Sequence, residues 1–171
     1  MPQESSESFP KTQATPKQIG LAFIDFIVRS GRTQDDLNEA FSSLPEFDRE
    51  SIRYETMLLI GWINEYATWD LFRNKPEQNT ILTVYYSLID AFAQKDPQWR
   101  TFDSELRKRI PAYAAAVKDG LEQPKLEQIG WEFARFCGHP DDILFQVTGT
   151  IEFTTNYAAT LKFLSSLNVV A

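Results

Sequence analysis

The sequence has one cysteine, one histidine, seven glycines and fewer basic than acidic residues, and each scarcity removes a class of chemistry. A lone thiol, Cys137, cannot close an internal disulfide. Residues 1–15 lack the apolar core of a secretory leader, so the expected compartment is the reducing cytoplasm. With His139 as the single histidine, zinc centres built on several His and Cys ligands are not available. A ferritin-like di-iron site needs two Glu-x-x-His motifs, and position 136, three before His139, is Phe rather than Glu. The glycines form neither G-x-G-x-x-G nor G-x-x-x-x-G-K, which excludes dinucleotide and P-loop phosphate cradles of those types. No G-x-S-x-G elbow is present, and no strand pattern that would carry one. The longest apolar run, Ile19 to Val28, is interrupted by Gly20 and Asp25 and falls well short of the roughly 20 residues that cross a bilayer. Seventeen Lys and Arg against 24 Asp and Glu leave a net charge of −7, which repels phosphate backbones and anionic headgroups. Nucleic acid and membrane surfaces are therefore not expected as partners.

What is present is a globular composition. With 43% hydrophobic residues and 171 positions, one domain can bury about 70% of its extended surface without staples. Residues 1–15, rich in Ser, Gln, Thr and Pro, read as a flexible N-terminal tail, and 16–171 as a single all-helical domain. After Pro16, Ile19, Phe23, Phe26 and Ile27 recur at helical spacing up to Gly31. Thr33 and Asp36 resemble a capping box for a short helix carrying Leu37, Ala40, Phe41 and Leu44. Asp48 is placed to cap a long helix with two apolar rows, one through Ile52, Leu59, Ile63 and Tyr66 and another through Leu58, Trp62 and Trp69, ending near Asn74. Two rows mean burial on more than one side, so this is the expected central helix.

Glu77 to Gln94 places Ile81, Tyr85, Leu88 and Phe92 on one helical face, against a β-branched, aromatic local composition. Asp96 and Pro97 open a further stripe, which Pro111 is expected to kink or divide. Pro124 begins a helix that Gly138 and Pro140 stop, and a final stripe from Leu144 runs through Ile151 and Leu161 toward Leu167. The architecture is all-α: a compact single-domain bundle of about six to eight helices around a buried central helix.

Function is less legible. Acidic residues sit within apolar helices at Asp25, Glu55, Glu65, Asp90, Glu132 and Glu152, where a carboxylate needs a cation, a hydrogen-bond network or a raised pKa. Convergence of Glu55, Glu65 and Glu152 would suit Mg²⁺ or Mn²⁺ and a metal-dependent hydrolase. The simpler expectation is local pairing, as Asp25 with Arg29 and Asp70 with Arg73. Cys137 and His139 supply a thiol and a base for thiol chemistry, or a helix end with its following cap. Arg107, Lys108 and Arg109, with Arg100 a short distance upstream, form the one basic cluster, either a local anion site or a solvated face, and Arg109 borders the apolar stripe.

Aromatic residues Trp62, Tyr66, Trp69 and Phe133 are candidates to line a cavity for a small apolar ligand. The final helix carries Thr148, Gly149, Thr150, Thr154 and Thr155, a small surface suited to close packing on a neighbour or on a second copy in a homodimer. The expected function is a non-catalytic module that binds a protein partner or a small apolar ligand. The carboxylate-based hydrolase is the alternative. No motif implies a cofactor or a bound metal.

Overall fold

A computed structural model describes residues 11–33, 43–118 and 120–170. In chain order it contains β1 (Thr12–Ala14), α1 (Pro16–Thr33), α2 (Glu46–Leu71), α3 (Pro76–Lys95), α4 (Pro97–Ala116), α5 (Gln123–Phe136), α6 (Ile143–Ser165) and β2 (Leu167–Val169). Thr33, expected to open a capping box, is the last residue of α1 instead, and Asp36 with most of the short helix expected after it lies outside the described residues. The rest is an all-α bundle arranged around α2, which touches each of the other five described helices.

The reason is written in the composition of α2. Ile52, Leu58, Leu59, Ile60, Trp62, Ile63 and Ala67 point to several sides at once and are all buried. A helix apolar on more than one side lowers its free energy only when surrounded. Polar side chains here bond to backbone carbonyls, while the buried Asn64 Oδ1 has no hydrogen-bond partner among the described residues. Asn64 Nδ2 donates to the Phe23 carbonyl (3.3 Å), Thr68 Oγ1 to the Asn64 carbonyl (2.7 Å), and the Tyr85 hydroxyl to the Gly61 carbonyl (3.0 Å). Gly61 lets α4 approach closely, since a Cβ there would stand 3.2 Å from both Leu106 and Phe102.

Side-chain chemistry marks several helix ends. Asp96 accepts from the Gln98 amide (2.8 Å) ahead of α4, and Asp142 from the Leu144 amide (2.8 Å) ahead of α6. Gly138, at φ +87°, ends α5 in the left-handed region, where glycine carries no Cβ penalty. Asn74, at φ +63°, turns the chain between α2 and α3.

Four sequence expectations are corrected. Asp48 does not cap α2: the cap is Pro45, with no side-chain bond, and Asp48 in the first turn is paired with His139 instead. The helix also ends at Leu71 rather than near Asn74. Pro111 neither divides nor ends α4, which runs unbroken from Pro97 to Ala116. Pro111 is exposed, so the carbonyl one turn earlier that loses its amide partner lies toward the wet side of the helix and water can replace the bond. Lastly, α6 stops at Ser165, and Leu167 lies in β2, paired in parallel with β1. Thr12, Gln13 and Ala14, read from sequence as part of the tail, are therefore held in register against Leu167, Asn168 and Val169.

The small-residue surface of α6 is used within the chain. A Cβ on Gly149 would lie 2.4 Å from the Cβ of Phe133, and one on Gly130 would lie 2.2 Å from the Gln146 carbonyl oxygen. These two glycines let α5 and α6 approach nearly to backbone contact. Phe133, expected at a ligand cavity, is fully buried in that seam and does not line the groove described below.

Candidate functional site

A groove of about 570 Å³ lies between α2 and α4, lined by Trp62, Tyr66 and Trp69 on one side and Ile110, Ala114 and Val117 on the other. Its aromatic wall follows directly from helical periodicity, because positions 62, 66 and 69 are neighbours on one face of α2. The rings are stacked. Trp62 and Tyr66 have centroids 5.2 Å apart at 21°, and Tyr66 and Trp69 are 6.4 Å apart at 19°. The buried end continues through Tyr113 of α4, stacked on Trp62 at 5.2 Å. At the open end the Arg73 guanidinium lies 4.1 Å from the centre of the Trp69 ring.

Phe153 and Tyr157 from α6 back this ladder, at 5.7 Å from Trp62 and 5.4 Å from Tyr66. Exposure is graded along it, from 2% at Trp62 to 41% at Trp69, so the groove is anchored in the core and opens to water. Three of the four aromatic residues singled out from the sequence thus line one concavity.

Four charged side chains complete the lining: Glu65, Asp70, Arg73 and Lys118. The carboxylates are occupied. Glu65 Oε2 accepts from the Tyr86 hydroxyl and Asp70 Oδ2 from the Tyr157 hydroxyl, both at 2.5 Å. Burial, aided by the facing carboxylate, pushes both phenols above their ordinary range, so they remain donors. Burial raises Tyr66 as well, with Asp70 adding to the effect. The expected Asp70–Arg73 pair is not formed, because Tyr157 takes the Asp70 oxygen and Arg73 stacks on Trp69 instead.

The carboxylates proposed to converge do not. Glu55 and Glu65 are ten positions apart on one helix, about 15 Å along its axis. Glu152, on α6, accepts from Asn156 (3.0 Å), and burial raises its pKa. Among the described residues no three His, Cys, Asp or Glu side chains are grouped to hold a metal ion.

Glu55 is instead the centre of a buried ion cluster. Its Oε2 accepts from Arg109 Nε (3.2 Å) and its Oε1 from the Tyr113 hydroxyl (2.7 Å). Arg109 also binds Glu105 and lies 4.5 Å over the Phe136 ring. Burial pushes the Glu55 carboxyl up to about 7, against the opposing pull of Arg109 and the Tyr113 hydrogen bond. Burial, aided by the same carboxylate, pushes Tyr113 well above the phenol range.

The remaining sequence candidates resolve into structural roles. Cys137 is buried, donates weakly to the Ser51 carbonyl (3.9 Å), and is pushed up to about 12, chiefly by burial and then by Glu55. His139 turns away to Asp48 (2.9 Å) and stacks on Phe145 at 4.2 Å, so thiol and imidazole have different partners. Arg107, Lys108 and Arg109 are neutralised in place, and Arg100 Nε donates to the Ala93 carbonyl (3.4 Å). Arg107 pairs with Asp103 (2.9 Å) and Asp90 (3.2 Å), Lys108 with Glu105 (2.6 Å), and Arg109 with Glu55 and Glu105. Asp25 and Arg29 form the expected surface pair at 2.7 Å.

A second cavity, of about 530 Å³, lies among Val28, Tyr54, Met57, Trp99 and Phe102, and it has no charged lining. No described helix is long and apolar enough to cross a membrane.

The fold and groove define a class, a compact all-helical bundle with an aromatic concavity, and no closer assignment follows from likeness to other proteins. The chain matches no protein-family model, no curated protein and no solved structure.

Proposed function

We propose that this protein is a non-catalytic helical binding module whose ligand site is the groove between α2 and α4. The supporting observation is the ladder Trp62–Tyr66–Trp69, which forms one wall of a concavity within the size range of small-molecule sites and offers apolar area with a few polar groups at the rim. The chemistry this suits is capture of a small apolar molecule with flat rings. A cytoplasmic setting belongs to the same proposal and accords with a single, buried, free thiol.

Calorimetric titration with 2-naphthamide, a neutral bicyclic probe, tests the reading. Binding should be saturable, and Trp69→Ala should weaken it by about tenfold or more while leaving the circular dichroism spectrum intact. Equal binding by Trp69→Ala would remove the groove as the site.

Self-association is a second reading, favoured by Ile143, Val147 and Ile151, a row on α6 exposed at 70%, 47% and 56%. Sedimentation equilibrium at rising concentration, with Val147→Glu as control, distinguishes a dimer from a monomer.

A further inference from the structure

The charges around the groove are unevenly committed. Both carboxylates already accept a short hydrogen bond from a tyrosine that burial keeps protonated, Glu65 from Tyr86 and Asp70 from Tyr157. Neither cation is so engaged. Among the described residues Arg73 has no carboxylate partner, its guanidinium resting on the Trp69 face, and the Lys118 ammonium has no partner. Arg73 and Lys118, outside any ion pair among the described residues, lower the free energy of an anion placed between them, although Glu65 and Asp70 keep their charge in the same lining. The carboxylates, held by phenols, compete for those cations less well than free ones would.

The rings point the same way. A ladder whose ring faces are turned toward one another presents ring edges to the groove, and the edge is the electropositive part of an aromatic quadrupole. Edges favour the π-face of a flat ring laid across them, in the edge-to-face arrangement, over a cation. A cationic ligand would meet Arg73 and Lys118 as like charges and would find no ring face free in the Trp62–Tyr66–Trp69 wall.

Building on the binding reading above, we propose that the groove takes a small planar aromatic carboxylate, its rings across the Trp62–Tyr66–Trp69 ladder and its carboxylate between Arg73 and Lys118. Arg73 then has two tasks. Its plane covers the outermost indole, and its N–H edge donates to the anion in the fork geometry that suits a carboxylate. Lys118 adds a second charge from the opposite wall.

The test compares 2-naphthoate with 2-naphthamide, which has the same rings and a neutral head, by calorimetry at low salt. Naphthoate should bind about tenfold more tightly or better, the margin expected of charge-assisted hydrogen bonds to one carboxylate. That preference should shrink with added salt and fall towards unity in Arg73→Gln/Lys118→Gln. Lys118→Gln alone alters an exposed side chain that supports no packing, so its partial loss of preference reads the charge without disturbing the ladder. Arg73→Lys should keep part of the preference by retaining the charge.

Equal binding of the two probes would overturn this assignment and leave the binding reading standing. A preference that survives in the double variant would also overturn it, because the anion would then sit elsewhere. Failure of both probes to bind would overturn both.

Discussion

Replacing Glu55 by Gln should change the slope of stability against pH as well as its level. In the folded chain burial raises this carboxyl from 4.5 to about 7. In the unfolded chain it titrates near 4.5. Between those values the folded state holds a proton that the unfolded state has released, so the linked stability is complete below about pH 4.5 and is lost as pH climbs through 7. At about 1.4 kcal/mol for each pH unit, the full loss is about 3.4 kcal/mol, of which about 3 falls between pH 4.5 and 8. Gln has nearly the same shape, can still accept from Tyr113, and carries no titrating proton. Its stability relative to the parent should therefore rise by about 3 kcal/mol on going from pH 4.5 to 8, whatever the offset at the acid end.

The assay is urea unfolding followed by tryptophan fluorescence at a series of pH values, on both proteins, reported as the difference. Glu152, also raised by burial, is present in both and cancels. In a companion variant, Arg109→Met, the loss should extend to higher pH, since the cation that favours the charged form is gone. Parallel curves for parent and Glu55→Gln would refute the reasoning. They would mean that Arg109 and Tyr113 hold Glu55 ionised over the whole range.

Three further outcomes are expected. Gly130→Ala should destabilise by about 1–3 kcal/mol in the same unfolding assay, because a Cβ would strike the Gln146 carbonyl at 2.2 Å and backbone cannot yield as a side chain can. The gain of about 1 kcal/mol in helix propensity offsets only part of this, and an unchanged midpoint would mean that α5 and α6 can separate freely. Cys137 in the folded protein should react with iodoacetamide at least about a hundredfold more slowly than a free thiol near neutral pH, and at the free-thiol rate in urea; rapid native alkylation would show that the Ser51 side of the bundle opens readily. Pro111→Ala should stabilise by about 1 kcal/mol or more by restoring a helical hydrogen bond on the exposed face of α4, whereas a lower melting temperature would indicate that the proline ring is itself a packing element.

Elements with local signatures were readable from the chain. Asp96–Pro97 before α4 and Gly138 after α5 mark ends that depend on a few adjacent residues, and both lie where their chemistry indicated. Trp62, Tyr66 and Trp69 were readable as candidates because their proximity needs only the pitch of one helix.

Contacts between helices were not readable. Glu55 was recognisable as a carboxylate needing a cation, and Arg109 as a base bordering an apolar stripe, yet nothing in periodicity joins positions 55 and 109. Phe133 was misassigned for the same reason: its place in the core depends on Gly149 of a facing helix. Asp70 and Arg73 had the right spacing for a pair, but Tyr157 and Trp69 offered each a better partner.

The pairing of β1 with β2 carries a consequence for the order of folding. Thr12 and Leu167 lie near opposite ends of the described chain, so their strands can meet only after the helices between them have docked and brought α1 beside the end of α6. Closing so large a loop for three residues of ladder is unfavourable on its own. The amides of this pair, such as Val170 N–H on the Ala14 carbonyl, should be among the last to gain protection from hydrogen exchange during refolding. They form a latch that reports whether the whole bundle has assembled, in a part of the molecule far in sequence from the residues that line the groove.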